Sequence, residues 1–162
     1  MQRASRPPEI SCAGYLCFQS SAEGTEEWAA LLAVDERGLP QEFLYSGPLR
    51  PTPVQSILYQ DQLSAQVRLS LVRSLFRGLR SRLGLVAVSA EEWDATLAED
   101  VAPPVLVIGG EKAAWLGEPP PTAEGLRRRI EDAVGETEPL GRARAALAYV
   151  VEYERSRKAA EP

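Results

Sequence analysis

Residues 10–19 read ISCAGYLCFQ and are apolar at nearly every position. Successive side chains of a β-strand point to opposite faces of the sheet, so even-numbered and odd-numbered positions report on different faces. Both sets are largely apolar here: Ile10, Cys12, Gly14, Leu16 and Phe18 on one face, Ala13, Tyr15 and Cys17 on the other. The stretch therefore predicts a strand that is covered on both faces and lies at the centre of a sheet.

Both cysteines of the chain, Cys12 and Cys17, fall in this stretch. Their odd separation places them on opposite faces of the predicted strand, where they cannot form a disulfide with each other. We expect two buried, reduced thiols, as in proteins of a reducing compartment. A reactive thiol is the alternative, but no basic residue lies close in sequence to lower its pKa.

Two further apolar stretches follow at short intervals. Residues 28–34 (WAALLAV) are apolar on both faces, and residues 41–46 (QEFLYS) carry their aromatic side chains on one face. The turn between them, Asp-Glu-Arg-Gly at residues 35–38, ends in a glycine suited to the positive φ of a hairpin loop. The pattern predicts a three-stranded antiparallel meander. A helix is the alternative for residues 26–34, because alanine and leucine also favour helices.

A helical pattern begins after the Gly/Pro-rich stretch that follows the meander. Thr52 is a good N-cap, and Pro53 suits the first helical position. Apolar side chains then recur at helical spacing over roughly residues 53–83, interrupted at Gln60–Gln62: Val54, Leu58, Ala65, Leu69, Val72, Phe76, Leu79 and Leu83. This predicts a long helix, or two helices with a kink, whose apolar stripe faces the sheet and which stops at Gly84.

The second half of the chain alternates short apolar runs with helical patterns. It predicts a strand at 85–88, a helix from a capping box at 89–92 to about residue 99, a strand at 105–108, a loop at 111–121, and helices at about 122–134 and 139–159. The complete pattern predicts an α/β (α+β) fold with a single mixed sheet. That sheet opens with the antiparallel meander, and the long helix and the C-terminal helices pack on it.

The length of 162 residues suits one domain. We expect residues 1–9 to be a flexible polar arm and residues 10–162 to form a single α/β domain. No stretch approaches the ~20 apolar residues of a membrane-spanning helix, and the N-terminus lacks the apolar core of a signal peptide. The sequence therefore predicts a cytoplasmic protein. Among 18 basic residues, Lys112 and Lys158 are the two lysines, a bias typical of GC-rich bacterial genomes.

The composition excludes several kinds of catalytic site. The chain has no histidine, so it cannot use a Ser-His-Asp or Cys-His nucleophile or a histidine-ligated zinc. An RNase H-like nuclease also opens with a meander and a helix, but two-metal catalysis needs convergent carboxylates, usually one on the first strand. Residues 10–19 contain no carboxylate. The sequence therefore predicts no catalytic residue, no metal site and no cofactor, and favours a protein that is not an enzyme.

Charge is unevenly distributed along the chain. The net charge is −5, yet residues 51–83 carry +4 and residues 84–126 carry −7. Arg73, Arg77 and Arg80 are spaced four and three apart, so on one helix they share a face. That face is either a docking surface for an acidic partner or phosphate, or a solvated face whose arginines pair with the acidic stretch 91–100. A chain with this acidic balance does not favour nucleic acid as its main ligand.

A second candidate contact lies in the predicted loop 111–121. Trp115 and Leu116 form an aromatic-aliphatic pair among glycines and prolines. Exposed on a loop, such a pair is typical of a protein-contact anchor. Folded back, it would instead cover the edge of the sheet.

Three functional hypotheses follow. The first is a non-enzymatic interaction or adaptor subunit of a bacterial protein complex, which binds other protein subunits through Arg73, Arg77 and Arg80 and through Trp115 and Leu116. The second is an accessory subunit of a nucleic-acid-processing or phage-defence machine, for which a catalytically inactive RNase H-like scaffold is one form. The third is a small-ligand sensor. We favour the first.

Overall fold

The computed structural model describes residues 11–110 and 112–160 of the chain, and the predicted arm, residues 1–9, lies outside the described residues. Six strands occur in the described part: β1 (Cys12–Ser20), β2 (Glu27–Val34), β3 (Pro40–Leu49), β4 (Leu83–Ser89), β5 (Val105–Gly109) and β6 (Lys112–Trp115). Its helices are α1 (Pro53–Tyr59), α2 (Leu63–Gly78), α3 (Pro121–Val134) and α4 (Glu138–Ala160), with 3-10 turns at Gln60–Gln62 and Ala95–Asp100.

The strands form one mixed sheet in the order β3-β2-β1-β4-β5-β6. β1 lies at its centre, antiparallel to β2 and parallel to β4, so that Leu16 faces Leu31 on one side and Val88 on the other. β2 pairs antiparallel with β3, β4 pairs parallel with β5, and β5 pairs antiparallel with β6. The predicted fold class, with its opening antiparallel meander and central first strand, is confirmed.

Two apolar cores cover the two faces of the sheet. On one face, Leu16 packs with Leu31 and with the inner side of α2, including Val72 and Leu75. On the other face, Ala13, Tyr15 and Cys17 of β1 pack with apolar side chains of α3 and α4: Leu126, Ile130, Leu140, Leu147 and Val151. Burying one such side chain contributes about 1.5–3 kcal/mol. Both cores stabilise the same strand, which explains why residues 12–18 are apolar on both faces.

The two thiols lie where the alternation of the strand predicts. Cys12 and Cys17 are both buried and free. Burial raises the pKa of the Cys17 thiol to about 12, and it also raises the pKa of Cys12, with nearby carboxylates acting in the same direction. Both side chains are therefore held as neutral thiols at physiological pH.

The predicted long helix is wrong at its C-terminal end. The helix α2 ends at Gly78, and the backbone of Leu79 is already extended. Leu83 and Gly84, predicted as the end of the helix and its stop, belong to β4 instead. The interruption predicted at residues 60–62 is present as a 3-10 turn. The chain leaves the helix early because the apolar run of β4 gains more by pairing with β1 than by continuing one helical stripe.

Two predictions for residues 89–121 also need correction. The capping box at 89–92 does not open an α-helix; a turn follows Ser89, and Asp94 caps a 3-10 helix by accepting the Thr96 N–H at 2.8 Å. The predicted loop 111–121 contains an additional edge strand, β6, which pairs with β5. Four residues are too few to show a clear alternation, so local pattern alone does not separate this strand from a loop.

Glu42 of β3 closes the corner between α2 and β4. Its carboxylate accepts the Ser81 N–H and the Ser81 hydroxyl, both at 2.7 Å, and the Arg80 N–H at 3.1 Å. Partial burial alone would raise the pKa of Glu42, but these hydrogen bonds outweigh it and hold the pKa below its ordinary value.

Acid should therefore weaken the fold partly through Glu42. A carboxyl group with a lowered folded pKa stabilises the protein above its unfolded pKa of about 4.3, and this stabilisation is lost as the pH falls through the folded value. We expect Glu42→Gln to have a lower free energy of unfolding than wild type at pH 7. Between pH 5 and pH 3, the free energy of unfolding of the variant should fall less than that of wild type. Urea unfolding curves across that range measure both effects. Glu23→Gln, on the exposed β1–β2 turn, is the control; an equal loss of pH dependence there would contradict the assignment.

Candidate functional site

The parallel strands β1, β4 and β5 all end at one edge of the sheet, which we call the carboxyl edge. From β1 the chain turns to β2 on one side, and from β4 it continues to β5 on the other. A crevice between strands whose connections diverge in this way is the common binding position in open α/β sheets. The carboxyl edge between β1 and β4 is therefore a candidate site.

Side chains of the protein itself fill this crevice. The guanidinium of Arg68 on α2 stacks over the ring of Phe18, with Cζ 5.0 Å from the ring centroid. The carboxylate of Glu92 accepts the Phe18 backbone N–H at 2.9 Å and the Arg144 guanidinium at 3.1 Å. The Glu92 carboxylate thus joins the end of β1 to α4, and the cation–π contact joins the end of β1 to α2.

Glu92 performs a different task from the one its sequence predicts. In a capping box it would bond back to the Ser89 backbone N–H. Here its carboxylate reaches the edge of β1 instead, while the Ser89 hydroxyl accepts the Glu91 N–H at 3.2 Å. No local pattern signals this contact, because its two partners are 74 residues apart in the chain.

A cavity of about 430 Å³ opens beside the crevice, at the ends of β4 and β5. Its lining is half polar and includes Ser89, Gly109, Gly110, Thr137 and Arg144. Across residues 11–110 and 112–160, no three cysteine, aspartate or glutamate side chains lie together in a group that could hold a metal ion. The polar groups around the cavity can form hydrogen bonds. Arg144, the one cation among the described residues that line it, is already paired with Glu92.

The most unusual feature of the carboxyl edge is α1. It follows β3, whose last residue, Leu49, pairs with Glu27 at the same edge. None of its residues is buried. Its apolar side chains Val54, Ile57 and Leu58 are 62%, 71% and 72% exposed. Ile57 and Leu58 lie three and four residues after Val54, so the three side chains share one side of the helix. Exposed apolar residues are common singly, but here three of them lie together on one short helix.

The helix α1 forms for local reasons rather than through packing. Thr52 caps it by accepting the Gln55 N–H at 3.2 Å, and the Gln55 side chain accepts the Thr52 N–H at 2.8 Å. Pro53 occupies the first turn, as its fixed φ favours. The predicted start of the helix is therefore confirmed. The predicted inward stripe is wrong for Val54 and Leu58, since the chain turns at residues 60–62 and carries α1 away from the sheet.

Structure separates the three arginines that the sequence grouped. Arg73 and Arg77 lie on α2, but Arg80 lies two residues beyond its end, after the extended backbone of Leu79. Arg73 pairs with Asp100 at 3.2 Å. This pair agrees with the alternative prediction, in which the arginines are solvated and pair with residues 91–100. The one-face arrangement of all three is wrong, because it requires a helix through residue 80. Binding of a partner by Arg73, Arg77 or Arg80 stays a prediction.

Trp115 and Leu116 do not form a free loop anchor. Trp115 is the last residue of β6, half-buried against the core on the side of α3 and α4. Its indole N–H donates to the Glu124 carboxylate on α3 at 2.6 Å, and this bond lowers the pKa of Glu124. Trp115 therefore agrees with the alternative prediction, in which this segment folds back and covers the edge of the sheet, rather than with an exposed anchor. Leu116 is exposed, and its contact with a partner stays a prediction.

In the described part of the chain, no helix is both long and apolar enough to cross a membrane. No family model and no curated protein sequence matches the chain.

The chain is similar to solved structures of endonuclease V. With the Bacillus subtilis protein it shares 13% identity and a TM-score of 0.42, over 64% of this chain and 46% of that one. Two complexes of the Ciona intestinalis protein with inosine-containing DNA give identities of 12% and 13% and TM-scores of 0.39 and 0.38, over 94% of this chain and 58% of theirs. The chain spans about half the length of the solved structures that it matches.

Proposed function

We propose that the protein is a non-enzymatic interaction subunit that binds a protein partner by inserting α1 into an apolar groove. The exposure of Val54, Ile57 and Leu58 on a helix with no buried residue is the observation that carries this proposal. A free helix of this kind leaves apolar surface in water, and a groove that covers it recovers roughly 1.5–3 kcal/mol for each fully buried side chain. Recognition of a helix through residues at spacings of three and four is a common docking mode.

Charge indicates the kind of groove. Residues 51–83, which include α1 and α2, carry five arginines against Asp61, for a net charge of +4 in a chain of net charge −5. Among the described residues, Arg77 forms no ion pair and is exposed. A partner whose apolar groove has an acidic rim therefore fits this segment, because charges at a rim steer association and select the partner. The rest of the chain is net acidic and repels an acidic rim, so the attraction is confined to residues 51–83.

The first experiment uses Ile57→Glu combined with Leu58→Glu. Protein from the native host that copurifies with the wild-type chain is identified, purified and titrated against wild type and variant by calorimetry. Burial of two charged side chains in an apolar groove should weaken binding at least ~100-fold, since each 1.4 kcal/mol is a factor of ten. The fold should remain intact, because neither side chain packs in the core.

Three further variants locate the contact. Leu39→Glu is the matched control, since Leu39 is exposed on the β2–β3 turn at the opposite edge of the sheet. Arg77→Glu tests whether the acidic rim of the partner extends to the far end of α2, where Arg77 lies; weaker binding at low salt, with a smaller effect at high salt, would show that it does. Leu116→Glu tests the other predicted contact. Equal binding by the α1 variant would refute the proposal. Specific capture of DNA or RNA that survives the α1 change would support the nucleic-acid hypothesis instead.

A further inference from the structure

A further cavity, of about 350 Å³, lies at the carboxyl edge between the β1–β2 turn, the end of β3 and the last turns of α4. Its volume falls within the ~300–1,000 Å³ of small-molecule sites. Three cationic side chains line it: Arg50, Arg155 and Lys158. The chain as a whole has a net charge of −5, so this local concentration of positive charge indicates an acidic ligand.

The two cations on α4 have no protein partner. Arg155 and Lys158 are three residues apart and so share one side of the helix. Neither side chain forms a hydrogen bond or an ion pair with any residue that the structure describes. Glu154, four residues before Lys158, binds Arg157 instead, at 2.9 Å. Glu152, three residues before Arg155, is exposed to solvent. Because neighbouring like charges repel each other, an anion bound beside Arg155 and Lys158 would stabilise both.

Arg50 is fixed in position and still has free donors. Its guanidinium pairs with the Glu26 carboxylate at 2.5 Å, and the Arg50 side chain is 69% exposed. A guanidinium has five N–H donors, so contact with one carboxylate oxygen leaves others unused. Glu26 therefore orients Arg50 at the cavity, and a ligand can bind the remaining donors.

The β1–β2 turn provides uncharged donors. The Ser21 hydroxyl oxygen accepts the Thr25 N–H at 3.1 Å and the Glu26 N–H at 3.0 Å, which fixes the turn. These two bonds use both acceptor positions of the Ser21 hydroxyl, so its hydrogen remains to donate. The Thr25 hydroxyl lies 3.5 Å away and also lines the cavity. Donors thus face a ligand from the turn, from Arg50 and from α4.

We propose that this cavity binds the phosphate monoester group of a small molecule. Such a group carries a charge of about −1.5 to −2 at pH 7 and three acceptor oxygens, which point in different directions. It therefore suits donors on three sides better than a carboxylate, which has two oxygens in one plane. Three cations against the carboxylates of Glu23 and Glu26 leave the lining with a net charge of +1. Glu23 is exposed and unpaired among the described residues, so it opposes the anion.

Amide chemical shifts of the ¹⁵N-labelled full chain test the site with inorganic phosphate and with phenyl phosphate. At constant ionic strength, both should shift the amides of residues 21–26 and 155–158 and saturate with a Kd of about 1 mM. Acetate at the same ionic strength should shift these amides much less. An equal response to acetate, or shifts that do not saturate, would overturn the proposal.

Variants of matched charge test which cations bind. Arg155→Gln combined with Lys158→Gln should raise the Kd for phosphate at least ~10-fold. Arg73→Gln combined with Arg77→Gln removes the same charge from α2, on the other face of the sheet, and should change the Kd less than about twofold. Glu23→Gln removes the opposing carboxylate and should lower the Kd about threefold. Equal effects of the two double variants would refute a specific site.

Two further measurements separate this site from the other proposals. An oligonucleotide without a terminal phosphate contains diesters alone and should displace phosphate poorly. Its displacement of phosphate at micromolar concentration would overturn the small-molecule assignment and support the nucleic-acid hypothesis. Ile57→Glu combined with Leu58→Glu should bind phosphate like wild type, because neither residue lines the cavity. Loss of phosphate binding in this α1 variant would contradict a site that is independent of α1.

Discussion

Replacing Trp28 with alanine should lower the free energy of unfolding by about 3–5 kcal/mol, the usual cost of removing a fully buried large aromatic side chain. Trp28 is 1% exposed and belongs to the core between the sheet and the helices α3 and α4. Its backbone lies against Gly47, where an added Cβ would stand 3.1 Å from both the Trp28 Cα and its ring. Such tight surroundings cannot collapse to fill the cavity. For a protein with a typical stability of about 5–15 kcal/mol, the loss is a large fraction.

Urea unfolding followed by far-ultraviolet circular dichroism measures this change without relying on the lost fluorophore. Trp28→Phe should cost much less, because the indole Nε1 has no hydrogen-bond partner in the described part of the chain and a phenyl ring fills most of the same space. Leu58→Ala, at an exposed position, should stay within about 0.5 kcal/mol of wild type. A Trp28→Ala cost below that of Leu58→Ala would contradict the packing of the central strands.

Glu92→Ala should destabilise the protein by about 1–3 kcal/mol, because it leaves a polar group without a partner in a half-buried site. The Glu92 carboxylate is the hydrogen-bond acceptor for the Phe18 N–H, and its side chain is 12% exposed. Loss of the Arg144 ion pair adds little, since Arg144 is half exposed. The Phe18 amide should also exchange its hydrogen faster, since its acceptor is gone.

The neighbouring Glu91→Ala is the matched control, because Glu91 is exposed. It should alter neither the stability nor the exchange of the Phe18 amide by a measurable amount. Glu92→Gln keeps an acceptor oxygen and should recover part of the loss. If Glu92→Ala and Glu91→Ala behave alike, the carboxylate does not join β1 to α4, and the crevice at the carboxyl edge is open rather than filled.

The central strands show how far residue pattern alone reaches. The stretch at residues 10–19 predicts a strand buried on both faces, and β1 is that strand. Such a prediction succeeds because alternation and apolar content are local, and every position of a central strand must satisfy the same requirement. Likewise, Thr52 and Pro53 predict the start of α1, since capping depends on residues within one turn.

Long-range contacts account for the errors. Leu79 and Leu83 continue a helical stripe, but pairing with β1 draws residue 83 into a strand. That change removes Arg80 from the helix and divides the predicted basic face. The exposure of Ile57 and Leu58 depends on a turn three residues long, which directs α1 away from the sheet. A helix looks equally amphipathic whether its apolar side meets a core or water.

Sequence by itself determined the antiparallel meander, its central strand and the start of α1, because these depend on periodicity, caps and turns that act over a few residues. Tertiary structure alone decided that the apolar side of α1 remains uncovered. It also decided that Glu92 spans 74 residues to the end of β1. The physical reason is that burial and pairing depend on which residues lie opposite a side chain in the folded protein. The spacing of residues along the sequence does not specify those residues.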